Sequence, residues 1–286
     1  MTAVSSGFHL LKNKNDIRTL VFVLLIGLTR VYCWWYAVSP YWLFLPLIVA
    51  LTFILFSIKH NHIHLPVFNS KKLNNLFDYL LDILTGNTVH DAFIIHIENH
   101  HKEANREKDW GNTERFVNNK GAFAMLRYAL TTPFEFVKGK RFWMKQAGNK
   151  ERVRKSVRAK LILWSFYFLA MFVDFQATMM FIIFPNILAQ FVLVSFNYFQ
   201  HNGCNPDSLY NHSRNFTGSI INFLTFNNGF HTAHHHFPAA HWSQAPEIHN
   251  SLVSKIDPAL NEPNFLKYFI RILFERNQKS VDLQGS

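Results

Sequence analysis

The histidines of this chain cluster at spacings that suit metal binding. Residues at positions i, i+3 and i+4 lie on one face of an α-helix, so an HxxHH pattern brings three imidazoles together. One such match would be weak evidence, but three clusters beside apolar segments indicate a metal centre. A further pair, Asn197 and His201, is spaced by about one helical turn. The candidate ligands are His60 and His64; His96, His100 and His101; His201; and His231, His234 and His235.

The number of candidate ligands indicates two metal ions. A zinc ion takes four or fewer protein ligands, so one zinc would leave five of these nine imidazoles unused. Nine imidazoles suit two ions with four or five ligands each. Neutral imidazole binds zinc, copper, iron and nickel, so the histidines alone do not select the metal. Two irons are the pair that we expect for O2 activation beside a bilayer, with Asn197 binding one of them through a water.

Length and composition favour a membrane protein. The chain has 286 residues, a net charge of +11 and 49% hydrophobic residues, with 30 Phe. A nucleic-acid-binding protein normally carries its basic charge on a soluble fold, so we expect no nucleic-acid partner. Cys33 and Cys204 do not suggest a disulfide framework, which agrees with a site facing a reducing cytosol.

Two apolar stretches are each long enough to cross a bilayer twice. Residues 19–58 contain a single charge, Arg30, and residues 161–200 contain a single charge, Asp174. A helix of ~40 residues would be about 60 Å long, twice the roughly 30 Å of the hydrocarbon core. We therefore predict an all-α fold with four transmembrane helices in two hairpins, over about 19–38, 41–59, 161–174 and 177–199.

Three residues modify this simple picture of the spans. Arg30 should weaken the first span by roughly 2–3 kcal/mol, unless it snorkels or faces a polar cavity. Residues 174–176 are expected to form the turn of the second hairpin. Pro185 should kink the fourth span, and Pro66 should end the second helix just beyond His64.

Basic residues define the expected topology. Apart from Arg30 and Lys59, every Lys and Arg lies outside the hairpins. The positive-inside rule then places both termini and all histidine clusters in the cytoplasm, at a bacterial inner membrane or the endoplasmic reticulum. The expected segments are a cytosolic N-terminal segment (1–18), hairpin one (19–59), cytosolic helices with the first two clusters (60–160), hairpin two (161–200) and a helical cytosolic cap (201–286).

Three cytosolic segments are expected at the membrane surface. The apolar spacing within residues 71–86 predicts an amphipathic helix along the interface, and residues 265–274 predict another. Lys and Arg crowd residues 138–160, which we expect to touch anionic lipid. Docking of an acidic electron carrier there is a second hypothesis.

The three clusters resemble the histidine boxes of the membrane-bound fatty acid desaturase and hydroxylase superfamily, which read HxxxH, HxxxHH or HxxHH, and a final HxxHH. Asn197 and His201 look like the Asn-x-x-x-His pair that stearoyl-CoA desaturases carry at the end of their fourth span. The resemblance covers about residues 41–250 and includes Asn227-Asn228-Gly229-Phe230-His231 and His241-Trp242-Ser243.

The resemblance implies an O2-dependent fatty acid desaturase. Its fold would be four helices under a cytosolic cap with two irons, Fe2+ or Fe3+, held by the nine histidines and by Asn197 through a water. Two electrons would come from a separate carrier of the ferredoxin or cytochrome b5 type, since no His-Pro-Gly-Gly motif indicates a fused cytochrome b5. The substrate would be an acyl chain on CoA, a carrier protein or a lipid.

Two other hypotheses stay open. The first box has three residues between His60 and His64, whereas stearoyl-CoA desaturases have four; acyl-lipid desaturases and alkane monooxygenases share the shorter spacing. Residues 197–203 also resemble the Asn-Tyr-x-Glu-His-Tyr-Gly stretch of alkane monooxygenases, so a fatty acid, alkane or lipid hydroxylase is the alternative. A membrane metal or haem carrier is more distant, because transport ligands normally lie near the bilayer midplane.

The remaining histidines are expected to be spectators or to orient ligands. His62 and His236 lie beside cluster residues, but the pattern does not require them. The others are expected in structural or ligand-orienting roles: His90, His212, His241 and His249.

Overall fold

The computed structural model describes residues 10–116, 121–146 and 150–274. It is 75% helical, which confirms the all-α prediction. The α-helices are α1 (Asp16–Tyr36), α2 (Tyr41–His64), α3 (Lys71–Thr85), α4 (Val89–Ile95), α5 (His101–Glu103), α6 (Gly121–Gln146), α7 (Lys150–Val173), α8 (Phe175–Thr178), α9 (Phe184–His201), α10 (Ser219–Leu224), α11 (His231–His236), α12 (Ala245–Leu252) and α13 (Phe265–Phe274).

Shorter elements complete the described ranges. Two five-residue segments are π-helical, His96–His100 and Met179–Ile183. Four single turns are 3-10 helical: Glu114–Phe116, Trp242–Gln244, Val253–Lys255 and Pro258–Leu260. Two short parallel strands, β1 (Asn215–Phe216) and β2 (Asn261–Glu262), pair Asn215 with Asn261 and Phe216 with Glu262.

The chain forms two compact units. The described part of the first comprises residues 10–94, 150–190 and 239–244, and that of the second comprises residues 95–116, 121–146, 191–238 and 245–274. In the first unit, α3 packs against α2 and α7, and α1 packs against α2 and the π-helical segment Met179–Ile183. In the second unit, α13 packs against α6, and α11 packs against α12 and β1.

Within the described ranges, four helical segments are long and apolar enough to cross a membrane, as the sequence predicts. They are Asp16–Tyr36, Tyr41–His64, Lys150–Val173 and Phe175–His201. The second hairpin turns more tightly than the predicted three-residue turn, because Asp174 alone separates α7 from α8. Its carboxylate accepts a hydrogen bond from the Ala177 backbone N–H at 2.8 Å, which caps the new helix. Helix α7 also begins at Lys150, so basic residues occupy its first turns.

Arg30 is buried among polar groups of the protein. It is 4% exposed, and its guanidinium donates to the carbonyl oxygen of Leu84 and, at 2.9 Å, to the Asn186 Oδ1 atom. The Asn186 amide in turn donates to the Tyr167 hydroxyl at 2.7 Å. Buried guanidinium donors are tolerated where each finds an acceptor. Arg30 therefore joins α1 to the end of α3 and to α9 through hydrogen bonds.

Pro185 explains why an acceptor is available there. A proline within a helix lacks the N–H that would bond to the carbonyl four residues earlier. That carbonyl belongs to Phe181, and Arg30 donates to it at 3.2 Å. The backbone just before Pro185 is π-helical. The sequence predicts a disruption of the fourth span at Pro185, and the π-helical segment is that disruption.

A second buried cation lies at the end of α2, next to His60. Lys59 is 2% exposed, and its ammonium donates to Asp82 at 3.3 Å, to the Thr85 hydroxyl at 2.6 Å and to both oxygens of Asn87. Asp82 Oδ1 also accepts the Val89 backbone N–H at 2.6 Å, at the start of α4. The Lys59–Asp82 pair therefore fixes the last turns of α2 against both ends of the α3–α4 connection.

Removing one member of this pair should destabilise the protein strongly. We expect Lys59→Met to lower the free energy of unfolding by about 3–5 kcal/mol, because it leaves the Asp82 carboxylate buried without a counter-charge. Thermal unfolding of purified protein measures the effect, and Lys72→Met, at an exposed position of α3, is the matched control. The double variant Lys59→Met/Asp82→Asn should recover part of the loss, since a neutral amide needs no counter-charge. Equal melting of the Lys59→Met protein and its control would contradict this role.

Candidate metal centre

Four imidazoles converge in the interior of the second unit. They are His100, His201, His231 and His235, and their candidate ligand atoms all lie within 4.8 Å of one another. The Nε2 atom of His231 is 2.9 Å from that of His201 and 3.1 Å from that of His235. Three of the four side chains are buried, and His235 is half-buried.

The distances in this tetrad suit a shared metal ion. One His231 Nε2 atom has at most one proton to donate, so it cannot form an N–H···N bond with both neighbours. Metal–nitrogen bonds of about 2.0–2.1 Å place adjacent ligand nitrogens roughly 3 Å apart. His100 agrees with this arrangement, since its Nε2 atom is buried and has no hydrogen-bond partner in the described ranges. The donor set therefore fits a metal ion.

A second group of imidazoles forms a triangle in the same unit. The His101 Nε2 atom lies 3.0 Å from that of His96 and 2.9 Å from that of His234, and the latter two are 3.4 Å apart. Three ring nitrogens that face one point again exceed what hydrogen bonding among them can satisfy. This triad is a second group of metal-binding character.

His60 and His64 lie in the first unit, on the last turn of α2. Their ring centroids are 5.0 Å apart, as expected for residues four apart on one helical face. The helix ends at His64, and Leu65 is extended ahead of Pro66, as the sequence predicts.

The π-helical segment divides the middle cluster between the tetrad and the triad. On a regular α-helix, residues four apart share a face, so His96 and His100 would belong together. A π-turn instead aligns residues five apart. His96 therefore meets His101 in the triad, while His100 joins the tetrad. The HxxHH cluster of α11 is divided too, because His231 and His235 enter the tetrad and His234 enters the triad.

Backbone contacts hold α11 in place. Gly229 passes so close to β1 that a Cβ atom there would lie 2.3 Å from the Phe216 carbonyl oxygen. Asn215, in β1, accepts the Thr232 backbone N–H at 2.9 Å and donates to the Thr232 hydroxyl at 3.0 Å. These contacts explain why glycine stands just ahead of His231.

The end of α9 is fixed by an arginine. The Arg214 guanidinium donates to the carbonyl oxygens of Phe199 and Asn202, both at 3.0 Å, and so satisfies carbonyls that the helix end leaves unpaired. His201 Nδ1 donates to the His212 carbonyl oxygen at 3.2 Å. With the ring proton on Nδ1, the Nε2 lone pair of His201 is directed to the tetrad.

Asp109 orients His100 and is absent from the sequence-based prediction. Its Oδ2 atom lies 2.8 Å from His100 Nδ1 and accepts the Asn105 backbone N–H, while Oδ1 accepts that of Gly111, both at 2.8 Å. Burial alone would raise the pKa of the Asp109 carboxyl, but His100 and the two backbone donors hold the pKa below its usual value. A carboxylate–histidine pair of this kind fixes the ring of a metal ligand.

Asn197 is fixed by Tyr128, which the sequence analysis also missed. The Tyr128 hydroxyl donates to the Gly111 carbonyl oxygen at 2.8 Å, so it must accept from the Asn197 amide nitrogen at 2.7 Å. This contact fixes which way the Asn197 amide is oriented. Its Oδ1 atom is left as the one available to a water. A Cβ atom on Gly111 would lie 3.4 Å from the Tyr128 hydroxyl and 3.5 Å from the Asn197 amide nitrogen.

The surroundings of His235 favour its neutral form. Burial, and then the neighbouring His231, lower the pKa of His235 well below its usual value. Metal ions bind neutral imidazole, so a ligand that is already deprotonated needs to release no proton on binding.

The other histidines have structural contacts. His62 bonds Asp78 at 2.9 Å and accepts the Val67 backbone N–H, and His236 bonds the Leu209 carbonyl oxygen at 2.7 Å. The remaining four differ in their surroundings: His241 bonds Ser243 and lies 3.2 Å from Asp16, His249 packs on Phe230, His212 lies beside His235, and His90 lies in α4.

Weakening the Asp109–His100 contact should weaken metal binding. We expect Asp109→Asn to lower metal affinity by about 10–100-fold, the range found when a carboxylate partner of a ligating histidine is lost. Titration of metal into chelator-stripped protein measures it. Asp207→Asn is the matched control, because Asp207 is 79% exposed and pairs with a surface arginine, Arg106. Equal affinities for the two variants would show that Asp109 does not support His100.

Comparison with known proteins bears on this site. Residues 34–261 match the fatty acid desaturase family model, and no curated protein was found to match. The match contains all nine candidate histidine ligands and Asn197, and it agrees with the predicted extent of about residues 41–250. A match over this share of the chain, together with four apolar helices and two histidine groups able to bind metal, establishes the family. The chain belongs to the fatty acid desaturase family and is an integral membrane enzyme of the oxidoreductase class.

Proposed function

We propose that this protein is an O2-dependent fatty acid desaturase with two iron ions. The observation that carries the proposal is the convergence of seven imidazoles in two groups within one unit of a desaturase-family chain. Hydrogen bonds among these ring nitrogens do not account for their convergence, since the rings have too few protons for the contacts they make with one another. Haem binding would use one or two axial histidines and leave most of these ligands unexplained.

Each ion is assigned its own set of ligands. The tetrad of His100, His201, His231 and His235 would hold one iron. The triad of His96, His101 and His234 would hold the other. His60 and His64 stay in the proposed set of iron ligands, because their spacing presents both rings on one helical face. Asn197 would bind one of the irons through a water, using its Oδ1 atom.

The protein side chains have separable tasks in this proposal. These residues would hold two irons, which with O2 and two electrons would supply the oxidising chemistry needed to remove hydrogen from an unactivated acyl chain. Asp109 and the His212 carbonyl keep the Nδ1 protons of His100 and His201 in place, so that their Nε2 atoms stay available as ligands. Tyr128 holds the amide of Asn197. Burial of His100, His201 and His231 excludes bulk water from these three ligands.

Desaturation is favoured over hydroxylation by the number of spans. The structure has four candidate spans in its described ranges, and alkane monooxygenases have more. The outcome after the first hydrogen is removed depends on how the chain is placed, since a second abstraction and the return of oxygen to carbon compete. Hydroxylation on the same ligands is therefore the second candidate function.

The proposal also covers the side of the membrane, the electron donor and the substrate. We place both termini and the metal centre on the cytoplasmic side, in a bacterial inner membrane or the endoplasmic reticulum, because basic residues flank the hairpins on one side. The electrons would come from a separate ferredoxin or cytochrome b5. The acyl chain would enter from the bilayer or a carrier as a CoA ester, a carrier-protein thioester or a lipid.

The proposed ligands can be tested through bound metal. Purified protein should contain about two irons per chain and no haem absorption, and His231→Ala should lose iron from the tetrad because the ligand atom itself is removed. Elemental analysis measures this, with His236→Gln as the control in the same helix, since His236 bonds the Leu209 carbonyl oxygen. Unchanged iron in the His231→Ala protein would overturn the assignment, and a haem spectrum would favour the carrier hypothesis.

The reaction itself is tested by its products. Expression in a host of known fatty acid profile should yield acyl chains two mass units lighter than the substrate, with a new olefinic signal, because two hydrogens are lost from adjacent methylenes. Mass spectrometry and NMR of extracted lipids provide the measurement, and cells carrying the His231→Ala variant provide the baseline. Products sixteen units heavier without an alkene would leave the metal centre intact and replace desaturation by hydroxylation.

A further inference from the structure

Helix α6 presents an exposed apolar stripe. Its Phe123 and Phe134 side chains are 64% and 68% exposed, and they belong to a series spaced by three or four residues, which is the period of one helical face. The series is Phe123, Leu126, Leu130, Phe134 and Val137. A contiguous series of exposed apolar side chains marks a surface for contact with a partner or a membrane.

The opposite face of α6 is packed against the protein. Gly121, Ala124, Tyr128, Ala129 and Thr132 are buried there. The helix is also seated against the Trp110 indole, because a Cβ atom on Gly139 would lie 2.2 Å from that ring. The orientation of α6 is therefore fixed, and the stripe cannot turn inward to hide its side chains.

Basic residues accompany the stripe. Helix α6 contains five Lys or Arg residues and one acidic residue, Glu135, which pairs with Lys138. Lys138, Arg141 and Lys145 are exposed in its second half. An apolar face bordered by Lys and Arg is typical of a helix that lies in the plane of an anionic membrane surface, where the long basic side chains reach the headgroups.

The position of α6 in the chain also favours contact with a membrane surface. Only residues 147–149 separate α6 from α7, which is one of the four candidate spans and begins with basic turns. The chain therefore continues within a few residues from α6 into a helix that is itself a candidate span. Helix α13, which packs against α6, has a similar face with Leu266, Ile270 and Phe274 exposed.

We propose that the stripe of α6 is a membrane-docking surface for anionic phospholipid, with its apolar side chains in the outer acyl region and its basic side chains on the headgroups. A second copy of the chain fits less well, because two α6 helices would bring like charges together. A soluble acidic partner would match the charges but leave the phenylalanines exposed to water. The surface involves none of the proposed metal ligands.

The proposal is tested with full-length protein in lipid nanodiscs. A nitroxide on Phe134→Cys reports burial through its accessibility to a water-soluble nickel relaxation agent, and Leu130→Cys repeats the measurement one turn away. Ser251→Cys, on the exposed side of α12, is the aqueous control, and the native Cys33 and Cys204 are buried. We expect the labels on α6 to be several-fold less accessible than the control in discs that contain phosphatidylglycerol.

Lipid charge separates the possible outcomes. Protection should fall several-fold in purely zwitterionic discs, and the variant Lys138→Gln/Arg141→Gln/Lys145→Gln should remove this dependence on lipid charge, since headgroup contacts act through these side chains. Labels on α6 as accessible as the control in both lipids would overturn docking. Equal protection in both lipids would overturn the anionic preference. Spin–spin broadening that requires two copies per disc would assign the stripe to a dimer.

Discussion

Every polar group that the apolar hairpins bury must find its partner within the protein, because hydrocarbon offers none. Arg30 is the clearest instance. Its guanidinium would be costly in lipid, and the Phe181 carbonyl would be unpaired because Pro185 has no N–H to give it. The Arg30 guanidinium donates to the Phe181 carbonyl oxygen at 3.2 Å, so each group provides the partner that the other needs. The residue that weakens α1 as a span and the residue that disrupts the fourth span are therefore tolerated together, and they hold the first unit in one arrangement.

The same constraint operates where the second span meets the candidate metal ligands. Lys59 is the last residue before the first histidine pair, and its ammonium is surrounded by oxygen acceptors from the end of α3 and the turn that follows it. Asp82 extends the contact to the first turn of α4, seven residues ahead of His96. Asp109 plays the corresponding part in the second unit, where it accepts two backbone N–H groups and orients His100. In each case, a buried carboxylate organises a loop beside a histidine cluster.

The sequence was sufficient to predict what depends on local spacing. Apolar length predicted four spans, and one-turn spacing predicted that His60 and His64 lie together in α2. In α11 it predicted one group of three imidazoles, which the structure divides between the tetrad and the triad. It could not reveal Asp109 or Tyr128, because an isolated acid in a loop and a tyrosine in a basic segment look like surface residues until the chain folds. Asp109 acts through its contact with His100. Tyr128 acts through its contact with Asn197, which lies 69 positions further along the chain. The contact of residues 138–160 with anionic lipid was predicted from their charge alone. The apolar face of helix α6 could be recognised only once the structure showed which side of the helix is buried.

The π-turn is the least predictable feature and has the widest consequence. Read as a regular helix, His96, His100 and His101 would serve one ion, and no propensity of these residues signals the extra residue in the turn. The π-turn sends His100 to the tetrad and the other two histidines to the triad, while α11 contributes to both groups as well. Two short helical segments therefore each supply ligands to both groups, and the separation between the groups is set by backbone geometry rather than by side-chain rotamers. A shift in either segment must move both groups together, so their arrangement is a property of the fold as a whole.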